Sequence, residues 1–254
     1  MPARMDIGHS EIVKILIENG ASFLKDCSER TPLHLACQSG TPETITTLIE
    51  HYSQDILTEY CQASWSPLHY ACFGGKIGNV KVLIALYKEK GLSIDQIELS
   101  NHWTPLHKAC QMGYSNIVKY LLERGASFLK DNVKRSPLHI ACQYGNSETM
   151  AVLVGHLGKD ILNDLGQFDC SPLHYACHGG KIENVKEIVR LYKAKGFSLH
   201  QLDTLMQTPL HKAFRNGQSG IVKALLGNEV SITEDKFGRN PLHMTRTGLE
   251  IELD

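Results

Sequence analysis

Five histidines in this chain are each followed, three residues on, by a cysteine: His34 and Cys37, His69 and Cys72, His107 and Cys110, His139 and Cys142, His174 and Cys177. Residues three apart share a helix face, so each pair would offer an imidazole beside a thiol, two ligands that zinc favours. A zinc site needs three or four such ligands at about 2.0 to 2.3 Å, while stacked helices lie roughly 8 to 10 Å apart. A ladder of two-ligand rungs closes no cage, and no metal or other cofactor is expected. The same separation exceeds the Cα distance of about 4.4 to 6.8 Å that a disulfide tolerates. The five thiols, each directly after an alanine, therefore read as reduced, small, packed hydrophobes.

Nucleophilic catalysis needs a Ser or Cys beside a His that a carboxylate orients. Cys27, Cys61 and Cys170 lie in loop-like stretches with no repeated partner, and the recurrent His and Cys residues carry the scaffold. The run Gly-Gly-Lys-Ile at Gly74–Ile77 and Gly179–Ile182 resembles the tail of a phosphate loop, but the leading Gly, its spacing and the Ser or Thr after Lys are missing. It reads as a turn, and the chain is not expected to be an enzyme.

The elements that place these side chains are marked by a tetrapeptide. Thr31-Pro32-Leu33-His34 returns at Ser66, Thr104, Ser136, Ser171, Thr208 and Asn240, at intervals of 35, 38, 32, 35, 37 and 32 residues. Ser, Thr or Asn ahead of Pro is a helix start: the side-chain oxygen caps an orphan N–H, and Pro at the first helical position gives up an N–H that has no partner. A period of this size signals stacked repeats. Inner helices are predicted at 32–38, 67–73, 105–111, 137–143, 172–178 and 209–215, and outer helices at 43–51, 78–90, 116–124, 148–157, 183–195 and 220–226.

The run from Thr104 through Leu106, His107, Ala109 and Gly113 to Ile117, Val118, Leu121, Leu122, Gly125 and Ala126 resembles a complete ankyrin repeat. The resemblance extends from about Gly8 to about Thr245. It implies an all-α solenoid of helix-turn-helix units with projecting hairpin loops, in which the tetrapeptide His ties its own loop to the next. It also implies a protein that binds other proteins. The whole chain, 1–254, reads as one domain: a half-repeat at 1–30, repeats at 31–65, 66–103, 104–135, 136–170, 171–207 and 208–239, and a truncated repeat at 240–254. The first unit has no tetrapeptide. Either residues 1–7 cap it or the chain is a piece of a longer array, the reading preferred here. The last inner helix is expected to end in Thr245 to Gly248, ahead of a frayed acidic tail at Glu250 to Asp254. Family members turn their hairpins on a glycine, but its equivalents here are Glu29, Ser64, His102, Lys134, Asp169 and Met206, none of which accepts a positive φ as cheaply.

A longer period of 105 or 104 residues pairs Thr31–Arg135 with Ser136–Arg239. The middle repeat of each block carries Gly-Gly-Lys-Ile and a long outer helix ending at Leu86-Tyr87-Lys88 or Leu191-Tyr192-Lys193. Positions that agree between blocks mark architecture, and exposed positions that differ are candidates for binding. In ankyrin repeats the partner-facing positions are the residue before the cap, here Arg30, Trp65, Trp103, Arg135, Cys170, Gln207 and Arg239, and those before the turn, among them Gln38, Phe73, Gln111, Met112, Gln143, Tyr144, His178 and Arg215. The resulting stripe is Trp65, Phe73, Trp103, Met112, Arg135, Tyr144 and His178, with aromatic and Arg side chains of the kind that dominate hot spots. Trp103→Ala is expected to cost a partner about 2 kcal/mol without loss of helicity.

With 26 basic and 27 acidic residues, for a net charge of −1, no overall field draws in nucleic acid or an anionic membrane. No apolar run approaches the length of about 18 that a membrane helix needs, and the first residues lack a signal-peptide core. The expectation is a monomeric cytoplasmic or nuclear adaptor that binds a partner protein on its concave face. The alternative is a regulatory array cut from a larger channel, kinase or effector.

Overall fold

The computed structural model describes residues 3–244, so the expected end of the last inner helix and the acidic tail lie outside the described residues. Among the described residues every regular element is helical. Contacts divide the chain into two compact units, Met1–Ser127 and Phe128–Asp254.

The first unit begins with an outer helix, α1 (Ala3–Glu18). Three helical pairs follow: α2 (Pro32–Ser39) with α3 (Pro42–Tyr52), α4 (Pro67–Gly74) with α5 (Ile77–Glu89), and α6 (Pro105–Met112) with α7 (Ser115–Glu123). Inner helices stack α2 on α4 on α6, and outer helices α1 on α3 on α5 on α7. The second unit repeats the plan with α8 (Pro137–Gln143) and α9 (Ser147–Leu157), α10 (Pro172–Gly179) and α11 (Ile182–Lys195), and α12 (Pro209–Arg215) and α13 (Ser219–Leu226). A single 3-10 turn at Pro241–Met244 packs on α12.

Each inner helix starts where a capping residue meets Pro at its first position, and each ends at a turn within one residue of the sequence expectation. The Leu of the tetrapeptide is buried in all six (Leu33, Leu68, Leu106, Leu138, Leu173, Leu210), worth roughly 1.5 to 3 kcal/mol each. The extra residues of the middle repeats go into α5 and α11, of 13 and 14 residues. Tyr87 and Tyr192 anchor these longer helices, their hydroxyls donating to Leu57 O and Leu162 O at 3.5 and 3.1 Å. The 3-10 turns that carry these carbonyls, Gln54–Thr58 and Lys159–Asn163, were not expected from sequence.

Helix α1 begins before Gly8, where the repeat resemblance starts, and is differently covered. Ile117 and Leu121 of α7 are 0 % exposed under α6, whereas their counterparts Ile12 and Leu16 are 56 % and 54 % exposed. The face that an inner helix covers elsewhere is here an open apolar groove of about 750 Å³ against Leu35 and Leu48.

Candidate protein-binding surface

The tetrapeptide histidines are fixed at Nδ1, and four of them at Nε2 as well. The backbone N–H of the capping residue points at Nδ1 in Thr31, Ser66, Thr104, Ser136, Ser171 and Thr208, at 3.0 to 3.2 Å. A donor aimed at Nδ1 requires a lone pair there, which puts the ring proton on Nε2. From Nε2, His69 donates to Trp103 O (2.9 Å), His174 to Gln207 O (2.9 Å) and His211 to Arg239 O (3.3 Å), each the residue before the next cap. His139 donates to Asp164 O at 3.1 Å. These four imidazoles join one storey to the next, while His34 Nε2 is buried without a hydrogen-bond partner among the described residues. Among the described residues no three His, Cys, Asp or Glu side chains converge as metal ligands would. Burial drives the pKa of His69, His139 and His174 down to about 4, so the rings are neutral near pH 7.

Gly-Gly-Lys-Ile is a turn with a cationic clamp. Gly74 and Gly179 lie so close to the preceding inner helix that a Cβ would sit 2.0 and 2.1 Å from Gln38 O and Gln143 O, and Gly75 and Gly180 take φ of 77° and 76°. Lys76 Nζ donates to Gly40 O at 2.9 Å and Lys181 Nζ to Gly145 O at 2.8 Å. The ammonium thus neutralises carbonyls at a helix C-terminus.

The partner-facing residues picked from sequence fall in two units and have unequal fates. In the first unit, the Lys108 ammonium sits 3.9 Å from the centroid of the Trp65 ring and 4.4 Å from that of Trp103. Trp103 also stacks on His107 and is only 5 % exposed. The expectation of Trp103 as an accessible anchor is corrected: its face is taken by the chain's own lysine, and Trp103→Ala would act on stability rather than leave the fold intact. Trp65 is half-buried, with Phe73 edge-on at 5.7 Å. Met112 is exposed. In the second unit, Arg135 is corrected as well: its Nε holds Asp131 Oδ2 at 2.8 Å, so it closes its own hairpin. Tyr144 and His178 are exposed, and His178 Nδ1 meets Gln143 Nε2 at 2.6 Å.

Sequence reasoning missed how the hairpins are built. A carboxylate five residues before the cap accepts two backbone N–H groups: Asp26 from Ser28 and Arg30, Asp131 from Val133 and Arg135, Asp203 from Leu205 and Gln207, and Asp235 from Phe237 and Arg239. The recurring Asp was the available signal. In the middle repeats Cys61 and Gly166 stand in its place, and the Tyr after the tetrapeptide reaches in: Tyr70 OH donates to Cys61 Sγ at 3.4 Å and Tyr175 OH accepts from Gln167 N at 3.1 Å. Phe168, at the tip of that second loop, was also missed. It is 64 % exposed with φ 57° and ψ 32°, a left-handed conformation that a bulky residue adopts at a cost of roughly 1 kcal/mol. Its counterpart in the first block is Ala63.

Within the second unit Gln143, Tyr144, Phe168, His178, Lys212 and Arg215 line a cleft of about 450 Å³, with Tyr144 and Phe168 exposed.

A family model for ankyrin repeats, in three-copy form, matches residues 3–60, 55–132, 85–164, 127–195 and 173–246. The chain belongs to the ankyrin-repeat family. Among its relatives, the transient receptor potential cation channel subfamily A member 1 of Homo sapiens is 28 % identical over 223 residues, which is 84 % of this chain and 19 % of the channel. The probable 26S proteasome regulatory subunit p28 of Saccharomyces cerevisiae is 30 % identical over 188 residues, 72 % of this chain and 80 % of that protein. The ankyrin repeat domain of human ASB11 superposes with a TM-score of 0.71 at 27 % identity, over 88 % of this chain and 95 % of the domain. This ankyrin-repeat chain thus spans about a fifth of the channel it matches. Its repeats indicate a protein-interaction module.

Proposed function

We propose that this ankyrin-repeat chain is a non-catalytic adaptor, cytoplasmic or nuclear, which binds a partner protein along the edge formed by hairpin tips and inner helices. The observation that carries this reading is the contrast between duplicated framework and altered edge. The capping residues, tetrapeptides, glycine turns and clamp lysines recur between blocks, while Ser39 becomes Tyr144, Ala63 becomes Phe168, Phe73 becomes His178 and Gln111 becomes Arg215. Packing fixes the first set and leaves the second free to serve recognition. A second reading, a regulatory array within a larger protein, is supported by the match to about a fifth of a cation channel.

The test is affinity capture from the source cells with the full chain, a quadruple edge variant (Met112→Ser, Tyr144→Ser, His178→Ser, Arg215→Ser) and an outer-helix control (Lys119→Ser, Lys186→Ser). Proteins retained by the parent chain and control but lost by the edge variant, with circular dichroism unchanged, support the reading. Equal retention by all three would sink it. Capture of a channel polypeptide carrying this sequence within it would favour the second reading.

A further inference from the structure

The second unit's cleft is built for a particular chemistry. Its lining holds no carboxylate and three cations, Arg135, Lys212 and Arg215. Two of the three already face a carboxylate: Arg135 on Asp131, and Lys212 Nζ on Asp203 Oδ2 at 2.7 Å. Arg215 differs. Among the described residues its Nη2 meets only the neutral Gln207 Oε1 at 2.9 Å and Met244 Sδ at 3.8 Å, so a guanidinium with a carboxylate-matching fork has no anion among them. Beside it Gln143 is only 7 % exposed. Its Nε2 is committed to His178, and its Oε1 has no partner among the described residues. A buried acceptor left unpaired costs about 1 to 3 kcal/mol, a cost that a ligand N–H would relieve. Phe168 and Tyr144 add two exposed rings, one of them held in a strained backbone conformation of the sort that clusters at binding sites.

The first block shows that the scaffold does not require this arrangement. The positions of Tyr144, Phe168, His178 and Arg215 there hold Ser39, Ala63, Phe73 and Gln111, all uncharged, while Gln38 stands for Gln143. Cation and exposed ring arrived together on one face.

We infer that the cleft of the second unit binds an acidic protein segment, one carboxylate side chain pairing with Arg215, a backbone N–H donating to Gln143 Oε1, and a neighbouring apolar or aromatic side chain packing on Phe168 and Tyr144. A volume of about 450 Å³ lies in the range that takes a few side chains rather than a folded surface. Nucleic acid is the weaker match. Tracking a phosphate backbone takes a row of uncompensated cations, and Asp131 and Asp203 neutralise the other two here.

This inference rests on the adaptor reading and names its partner's chemistry. The probe is a displayed library of random 12-residue peptides, selected on the immobilised full chain and counter-selected on Arg215→Gln/Phe168→Ser, two exposed positions whose substitution leaves the core intact. The selected peptides are expected to carry Asp or Glu within a few residues of Phe, Leu or Tyr. In fluorescence anisotropy, replacing the acidic residue by its amide should weaken a selected peptide about tenfold. Arg215→Gln on the protein should weaken the acidic peptide equally while leaving the amide peptide unchanged. Affinity for the acidic peptide should also fall as NaCl is raised from 50 to 300 mM. Enrichment without acidic residues, or acidic peptides held equally by both proteins, overturns the acidic assignment while the adaptor reading stands. Enrichment of nothing, with cellular proteins still captured through the edge, likewise overturns it. Failure of both selection and edge-dependent capture overturns both. Preferential binding of a labelled 12-nucleotide single strand at the same residues replaces the acidic segment with nucleic acid.

Discussion

The histidine rings that tie the repeats together make the molecule acid-sensitive, and the sign follows from their tautomer. A proton added to Nδ1 would face the N–H that now donates to it, so the folded state resists protonation. Burial holds His69, His139 and His174 near 4, against about 6.5 in an unfolded chain. Between those values the unfolded state binds protons that the folded state refuses, so this stability is complete above pH 6.5 and is lost as pH falls toward 4. Each ring contributes a slope of about 1.4 kcal/mol per pH unit. Urea midpoints should be level from pH 7.5 to 6.5 and fall steeply from 6.5 to 5; an unchanged midpoint at pH 5 would contradict the buried, neutral assignment. The exposed His243 lies outside this set. The chemistry of these residues was largely legible in sequence, because a Ser or Thr cap and a His three residues on are a local device. Trp103 was not legible: nothing local shows that Lys108, packed beside it, would occupy its face. Arg215 and Gln143 could be read as edge positions, but what they bond to depends on residues 8 and 35 positions away. The hairpin residues supply a second prediction. Lys134 and Met206 are exposed with φ of 64° and 58°, where glycine relieves about 1 to 2 kcal/mol of strain against an entropy cost of about 0.5 to 1 kcal/mol. Lys134→Gly and Met206→Gly should each raise the melting temperature by a degree or more, and a fall in both would show that the side chains earn their place by contacts.

At the scale of helices and turns, glycines separate into those that the stack demands and those it tolerates. Gly179 ends α10 where a Cβ would press within 2.1 Å of Gln143 O, a backbone atom of α8 that cannot swing aside. Gly155 lies inside α9 with nothing within 4 Å. Gly179→Ala should therefore destabilise by about 1 to 3 kcal/mol, whereas Gly155→Ala should stabilise by up to about 1 kcal/mol. Denaturant unfolding of both variants checks the pair, and opposite signs are the expected result. This contrast also explains what sequence could and could not deliver about the elements. Inner and outer helices were found to within about a residue because cap, apolar period and glycine stop all agree along a short stretch. No start for α1 could be read from sequence, because no cap announces it. The turns at Gln54–Thr58 and Lys159–Asn163 were missed because their shape answers to Tyr87 and Tyr192, some 30 residues later in each unit.

Across the whole chain, eight free thiols report on how the repeats open. Cys27 is exposed, Cys170 is half-buried with its pKa pushed up to about 11 by burial, and the other six are buried. A thiol reacts as thiolate and only when reached. Under native conditions a disulfide reagent should therefore modify Cys27 promptly, Cys170 slowly, and Cys37, Cys61, Cys72, Cys110, Cys142 and Cys177 only through opening. A repeat array is held by nearest-neighbour interfaces, so its openings are graded along the chain rather than all-or-none. In the first unit the gradient has a definite direction. Cys37 belongs to α2, which borders the open groove under the half-exposed Ile12 and Leu16, whereas Cys72 belongs to α4, which is stacked between α2 and α6. Mass-spectrometric labelling should find Cys37 modified several times faster than Cys72, with both rates rising together only in denaturant. Identical native rates would mean that the first unit opens as one body, and that the uncovered face of α1 carries no local weakness.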